Sequence, residues 1–248
     1  MKRNVVTWLI LNLVWFATPT FGQSLSRFGK KEVKVADWVD QQFRKEVIPP
    51  FSFRYNGVHS STFIRKWQFS AKKGSPDAAG AVENQYSWKE RETGMIVTCH
   101  LKYYPSHEAV EWVLHFTNSS DENSPQITAV SVIDVDWRYG GGSELLLHYA
   151  NGSSASRSDF NPKKEVLKAG VPFEIYPRNG RSSDHAFPFF NIESETGSGV
   201  MVAVGWTGTW FARFEKNKAS GLSLRAGMKE LDTYLPDDRL CHCYDQPV

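Results

Sequence analysis

Two places in this 248-residue sequence have side chains able to act on a substrate. One is the carboxylate pair Asp134 and Asp136; the other is the polar run Arg181-Ser182-Ser183-Asp184-His185. Paired carboxylates cleave glycosidic bonds, and retaining enzymes hold them about 5–5.5 Å apart across the scissile bond, one as nucleophile and one as acid/base. Residues two apart on a strand point to the same face. Asp134 and Asp136 can therefore approach one another, but from one side of any bound sugar, where opposed attack and protonation are awkward. Their neighbours Val132, Ile133, Val135 and Trp137 mark a core or domain-facing strand. No catalytic residue is assigned here. Arg181, Ser183 and Asp184 offer donors and acceptors for sugar hydroxyls, with His185 beside them and the aromatic run Phe187 to Phe190 following. The plainer reading is a solvated turn whose Asp184 bonds its own backbone.

Trp206 and Trp210 border the connection Gly205 to Thr209. They can line a rim on which a pyranose stacks, or plug the end of a sheet. An indole buries about 150–250 Å², which at about 25 cal/mol per Å² is a gross ~4–6 kcal/mol inside a core. With nine tryptophans in the chain, most must serve packing. Trp67, Trp88, Trp112 and Trp137 lie on strand-like runs and read as core or interface residues.

The chemistry of metals finds no support in the spacing. Cys241, His242 and Cys243 are adjacent and have no distant partner that completes a tetrahedral site, and the other histidines are scattered. No metal and no cofactor is expected. Cys99 sits in an apolar run and reads as a buried thiol. Asn118-Ser119-Ser120 and Asn151-Gly152-Ser153 match the glycan acceptor pattern, a pattern frequent by chance.

The elements that must position these residues begin after a leader. Lys2 and Arg3 precede an apolar run from Val5 to Phe16, closed by small residues around Thr20 to Gly22. This is the layout of a signal peptide over residues 1–23, so a secreted or periplasmic protein is expected. Lys2 and Arg3 account for two of 29 basic residues, leaving 27 against 27 acidic ones. A neutral chain without a basic stripe argues against nucleic acid and membrane as partners.

Residues 24–48 form an N-terminal segment with one helix: Val35, Trp38, Val39, Phe43 and Val47 fall near helical spacing, and Pro49-Pro50 ends it. Short alternating runs then follow to about residue 236, among them Phe51–Tyr55, Phe63–Phe69, Gln85–Arg91, Met95–Tyr104, Val110–Thr117, Ile127–Trp137 and Leu222–Met228. Ser158 to Lys164 has room for a helical turn. Val200 to Val204 and Trp210 to Phe214, separated by a glycine-bearing connection, read as a hairpin. Many short strands with a single early helix predict an all-β fold, a large two-sheet antiparallel sandwich.

Several strings in order resemble the amino-terminal β domain of glycoside hydrolase family 36, the α-galactosidases: PPFSFRYNG (49–57), EWVLHFTN (111–118), LLHYANGSSASRSDF (146–160), GRSSDHAFPFFNIE (180–193), VAVGWTGTW (202–210) and LRAGMKELDTYL (224–235). The resemblance implies a β-supersandwich over residues 49–236. It also implies a partner, the catalytic (β/α)₈ barrel, a fold of about 250 residues, whose catalytic aspartates have no matching positions here. Loops of the β domain in such enzymes approach the mouth of the barrel, so Arg181, Ser183, Asp184, His185, Trp206 and Trp210 become the candidate substrate-binding set, with Asp184 accepting from sugar hydroxyls. Relatives often form homo-oligomers through this domain.

Residues 237–248, ending CHCYDQPV, depart from the family pattern, and a truncated gene is an expectation of this reading. The chain is expected to be a non-catalytic domain that braces and shapes the sugar site of a missing barrel, inactive on its own. The alternatives are a free-standing galactoside-binding module, or a gene remnant without activity.

Overall fold

The computed structural model describes residues 12–15, 34–138, 144–195, 199–217 and 221–237. The tail from residue 238, with Cys241 and Cys243, and all of the expected leader but four residues lie outside the described residues.

In chain order the elements are β1 (Asn12–Trp15), α1 (Val35–Gln42), β2 (Ser52–Tyr55), β3 (Val58–His59), β4 (Gln68–Lys73) and β5 (Val82–Lys89). Then come β6 (Met95–Tyr104), β7 (Ala109–Asn118), β8 (Ile127–Arg138), β9 (Leu145–Ala150), β10 (Pro162–Val166) and β11 (Phe173–Ile175). The chain continues with β12 (Phe189–Ser194), β13 (Gly199–Val204), β14 (Trp210–Lys216), β15 (Gly221–Met228) and β16 (Asp232–Thr233). Two antiparallel sheets result. The first has the order β10-β9-β12-β13-β1-β7-β6-β5-β4; the second has β11-β14-β15-β8-β2-β3, with β16 added to β8. The expected all-β sandwich with one early helix is the architecture found.

Period-two alternation drives the layering. Tyr86 and Trp88 on β5, Met95, Val97, Cys99 and Leu101 on β6, and Trp112, Leu114 and Phe116 on β7 are buried. They meet Phe51 and Phe53 from the opposite sheet, with ring centroids 5.2 Å apart for both Phe51–Trp88 and Phe53–Phe116. Trp112 also donates Nε1–H to the Val132 carbonyl of β8 at 2.8 Å, joining the sheets through a satisfied polar atom. Helix α1 covers this core with Trp38 on Trp112 and Phe43 on Tyr86, at centroid distances of 6.0 and 4.7 Å. Its first amide, Val35 N–H, donates to the Glu108 carboxylate at 2.6 Å, so the turn between β6 and β7 caps the helix.

Three local expectations are corrected. Phe63–Phe69 is not one strand: two 3₁₀ turns, Ser60–Thr62 and Ile64–Lys66, precede β4. Their apolar residues instead close an aromatic cluster, with Phe63 stacked on Trp67 at 5.0 Å and on edge to Phe53 at 5.8 Å. The segment 158–164 holds a turn and then strand β10, without a helix. The third correction concerns the hairpin. β13 pairs with β12 and β1, whereas β14 pairs with β15 and β11. The Gly205 to Thr209 connection therefore crosses from one sheet to the other.

Inside the expected leader, Asn12–Trp15 forms β1, antiparallel to β7 on one side and β13 on the other.

Candidate functional site

The two strings that carry the polar chemistry, residues 151–159 and 178–186, come together in space. Ser153 N–H donates to the Ser183 carbonyl at 2.7 Å, and Phe187 N–H donates to the Ala150 carbonyl at 3.1 Å. The approach requires glycine at 152, since a Cβ built there would lie 1.9 Å from the Ser183 oxygen and 2.7 Å from the Ala186 nitrogen.

Each loop is organised by one aspartate. In the first, Asp159 accepts from Ser153 Oγ at 2.8 Å, from Ser154 N–H at 2.9 Å and from Ser156 N–H at 3.2 Å. These bonds, led by the Ser154 amide, pull its carboxyl well below the usual carboxylate range. In the second, Asp184 accepts from Arg181 Nη2 at 2.9 Å, from Asn179 Nδ2 at 3.1 Å and from His185 Nδ1. Arg181 first, then Asn179, with His185 adding charge, lower its carboxyl to about 2. The Asp184 side chain is 2% exposed. Both of its oxygens are committed within the loop, so it is placed as the loop's internal anchor, and what it orients outward is His185. Arg181 projects into solvent with a side chain 77% exposed, and Ser183 is half-buried.

The tryptophans separate. Trp210 is fully buried, edge-on to Phe190 at 5.6 Å, and donates Nε1–H to the Ser182 carbonyl at 2.7 Å. It has no face to offer a sugar; of its two expected roles it takes the packing one, and it fixes the polar loop from beneath. Trp206 is half-buried against the core, its indole folded over Gly208, where a Cβ would lie 2.7 Å from its Nε1. Trp88 and Trp112 are buried to within 1% of full burial and Trp67 to 7%, in keeping with their strand positions.

Asp134 and Asp136 lie on β8 opposite Arg225 and Ser223 of β15. Arg225 Nε bonds Asp134 at 3.2 Å and Ser223 Oγ donates to Asp136. They form cross-strand pairs on a sheet face. Cys99 is buried, and burial alone pushes its thiol well above the ordinary value. In both glycan acceptor motifs the asparagine Nδ2 is already engaged, Asn118 with the Glu122 carbonyl and Asn151 with the Ser158 carbonyl, each at 2.6 Å. Among the described residues no three His, Cys, Asp or Glu side chains group as metal ligands.

Sequence reasoning missed the cavity beside these loops. It has a volume of about 510 Å³ and opens where the edge strand of one sheet, β10, faces the edge strand of the other, β11. Tyr149, Phe173 and Tyr176 supply aromatic surface, Ser154 and Ser158 hydroxyls, and His185 an imidazole. Tyr149 and Phe173 meet edge to face at 5.6 Å, bridging the two sheets. Since Asp184 takes the His185 Nδ1 side, Nε2 is the nitrogen left for the cavity. Of the residues anticipated for sugar binding, only His185 lines it. The lining is more polar than apolar, with the aromatic rings set among hydroxyl, amide and charged groups; a concave site with convergent polar groups is a form that ligand sites take.

No family model and no curated protein matches the sequence. Solved structures do share the architecture. The α-galactosidase of Lactobacillus brevis aligns at a TM-score of 0.57 and 15% identity, covering 76% of this chain and 28% of that one. The family 36 α-galactosidase AgaA of Geobacillus stearothermophilus aligns at 0.55 and 14%, covering 76% and 29%. The galactosidase domain of the α-galactosidase–sucrose kinase AgaSK aligns at 0.53 and 14%, with the same coverage of 76% and 29%. The chain thus spans less than a third of the length of these relatives. It shares its fold with one part of the α-galactosidases.

Proposed function

We propose that this chain is the non-catalytic β domain of an exported α-galactosidase-like glycoside hydrolase, bracing a (β/α)₈ barrel and shaping its sugar site. The observation that carries the reading is the likeness over 76% of this chain to a fraction of much longer α-galactosidases. The polar loop supports it: Asp184 and Trp210 hold the segment 178–186 rigid from inside. Rigid loops on a β scaffold are where binding residues concentrate. Arg181, Ser183 and His185 are the side chains this loop offers to a saccharide at the mouth of the barrel. Asp134 and Asp136, tied to Arg225 and Ser223, take no part in bond cleavage.

The test is hydrolysis of a chromogenic α-galactoside by the purified full chain. No turnover is expected. Turnover abolished by Asp134→Asn or Asp136→Asn would overturn the non-catalytic assignment. A second reading, a sugar-binding module that works without a barrel, is favoured by the aromatic cavity at Tyr149 and Tyr176. It requires calorimetric binding of galactose, melibiose or raffinose to the full chain alone, weakened by Tyr149→Ala; three blank titrations remove it.

A further inference from the structure

The charges around the cavity between β10 and β11 do not balance. Lys163 sits directly across from Tyr149 in the β9–β10 pairing, and Arg178 follows β11; both line the cavity. Among the described residues neither has a carboxylate within ion-pair distance. The one carboxylate that lines the cavity, Glu174, is already engaged by Lys229 Nζ at 3.1 Å and Arg213 Nη1 at 3.9 Å. Asp159 and Asp184, in the two loops at its border, spend their oxygens on serines and on Arg181, Asn179 and His185. What remains uncompensated is positive. It stands next to aromatic rings suited to the C–H face of a pyranose, and next to the Ser154 and Ser158 hydroxyls.

We infer that this cavity takes an acidic carbohydrate, an oligosaccharide whose rings carry carboxylate or sulfate groups, with the anion held by Lys163 and Arg178 and a ring against Tyr149. The inference rests on the carbohydrate reading above and narrows it. A neutral galactoside can fill the same volume, but it draws nothing from the two exposed cations, whereas an anionic sugar is attracted to both. An arginine–carboxylate or arginine–sulfate contact is charge-assisted and among the stronger hydrogen bonds available to a small ligand. Glu165, two residues from Lys163 on β10, lies outside the lining but its charge reaches Tyr149, so it offsets part of the Lys163 charge and leaves Arg178, among the described residues, as the cation without a nearby carboxylate.

The experiment is calorimetry on the full chain with four probes: trigalacturonate, a sulfated galactan tetrasaccharide, raffinose and inorganic sulfate. At least one acidic oligosaccharide is expected to bind at least tenfold more tightly than raffinose, and the carboxylate and sulfate arms identify which anion is preferred. Binding should weaken several-fold when salt rises from 50 to 300 mM. It should fall at least tenfold in Arg178→Gln or Lys163→Gln, both surface substitutions whose folding is checked by circular dichroism. Raffinose binding as tightly as the acids, with Arg178→Gln neutral, overturns the acidic preference and leaves the sugar-binding module standing. Inorganic sulfate matching the oligosaccharides overturns the inference too, by reducing it to charge. Silence from all four probes refutes the inference, while the stand-alone module is left to its galactose and melibiose titrations and the brace reading to its own assay.

Discussion

Gly152→Ala is the substitution on which the arrangement of the candidate site depends most directly. The new methyl would sit 1.9 Å from the Ser183 oxygen and 2.7 Å from the Ala186 nitrogen, both backbone atoms that no side-chain rotation can clear. The loops must separate. On one side of residue 152 this breaks the 2.7 Å bond from Ser153 N–H to the Ser183 carbonyl; on the other it strains the 3.1 Å bond from Phe187 N–H to the Ala150 carbonyl. Each bond contributes about 0.5–1.5 kcal/mol, and overpacking adds about 1–3 kcal/mol. A loss of ~2–4 kcal/mol is expected, or ~5–15 °C in Tm for a chain of this size. The matched control is Gly170→Ala: Gly170 has φ +76°, with nothing within 4 Å of a built Cβ. There only the left-handed backbone penalty of about 1–2 kcal/mol applies. Urea denaturation of both variants decides the matter. If Gly152→Ala costs no more than Gly170→Ala, the loops are not locked together at this point and the reasoning about the site fails.

Three further outcomes follow from the same geometry. Trp210→Phe leaves the Ser182 carbonyl without its donor and opens a void under the polar loop. It should lose ~1–3 kcal/mol by denaturant titration and weaken any saccharide binding. Glu108→Ala removes the acceptor of the Val35 amide at the start of α1 and should cost ~1–2 kcal/mol, with reduced hydrogen-exchange protection confined to the helix. Because the folded-state carboxyl of Asp184 is lowered to about 2, the stability it lends is complete above the unfolded value near pH 4 and is lost as pH falls toward 2. The urea midpoint of Asp184→Asn should therefore vary less between pH 5 and pH 2 than that of the parent chain.

The parts of the fold that could be read in the sequence are those whose burial repeats locally. Strands β5 and β6 alternate cleanly, and Val35, Val39 and Phe43 mark one face of a helix, although it ends at Gln42 and not at the double proline expected to close it. Where the sequence misled, long-range pairing had overridden a local pattern. Val200 to Phe214 has the look of a hairpin, yet strand alternation cannot say which sheet a strand joins, and the two strands go to different ones. Phe63, Ile64 and Trp67 read as strand, but their burial is met by rings from β2 in a 3₁₀ conformation. The polar loop was found because its residue types are unusual together; that Asp184 faces inward is set by Asn179 and Arg181, whose geometry no spacing rule gives. The cavity was invisible for a simpler reason. Its lining comes from segments near residues 149–163, 173–178 and 185, which adjoin only once two separate sheets present their edges to each other.

The four residues Asn12–Trp15 have a consequence for how this molecule is made. Among the described residues they are the only link, in the nine-stranded sheet, between the four strands ending at β13 and the four beginning at β7. A peptidase cut near residue 23 would carry that link away and leave two four-stranded halves, each with a fresh row of unsatisfied amides and carbonyls. Such borders invite strand addition from any extended chain. If the chain is exported and cut there, maturation and sheet closure compete for the same short segment, and the cut form either seals the seam with other residues or leaves it ready to pair with a neighbour.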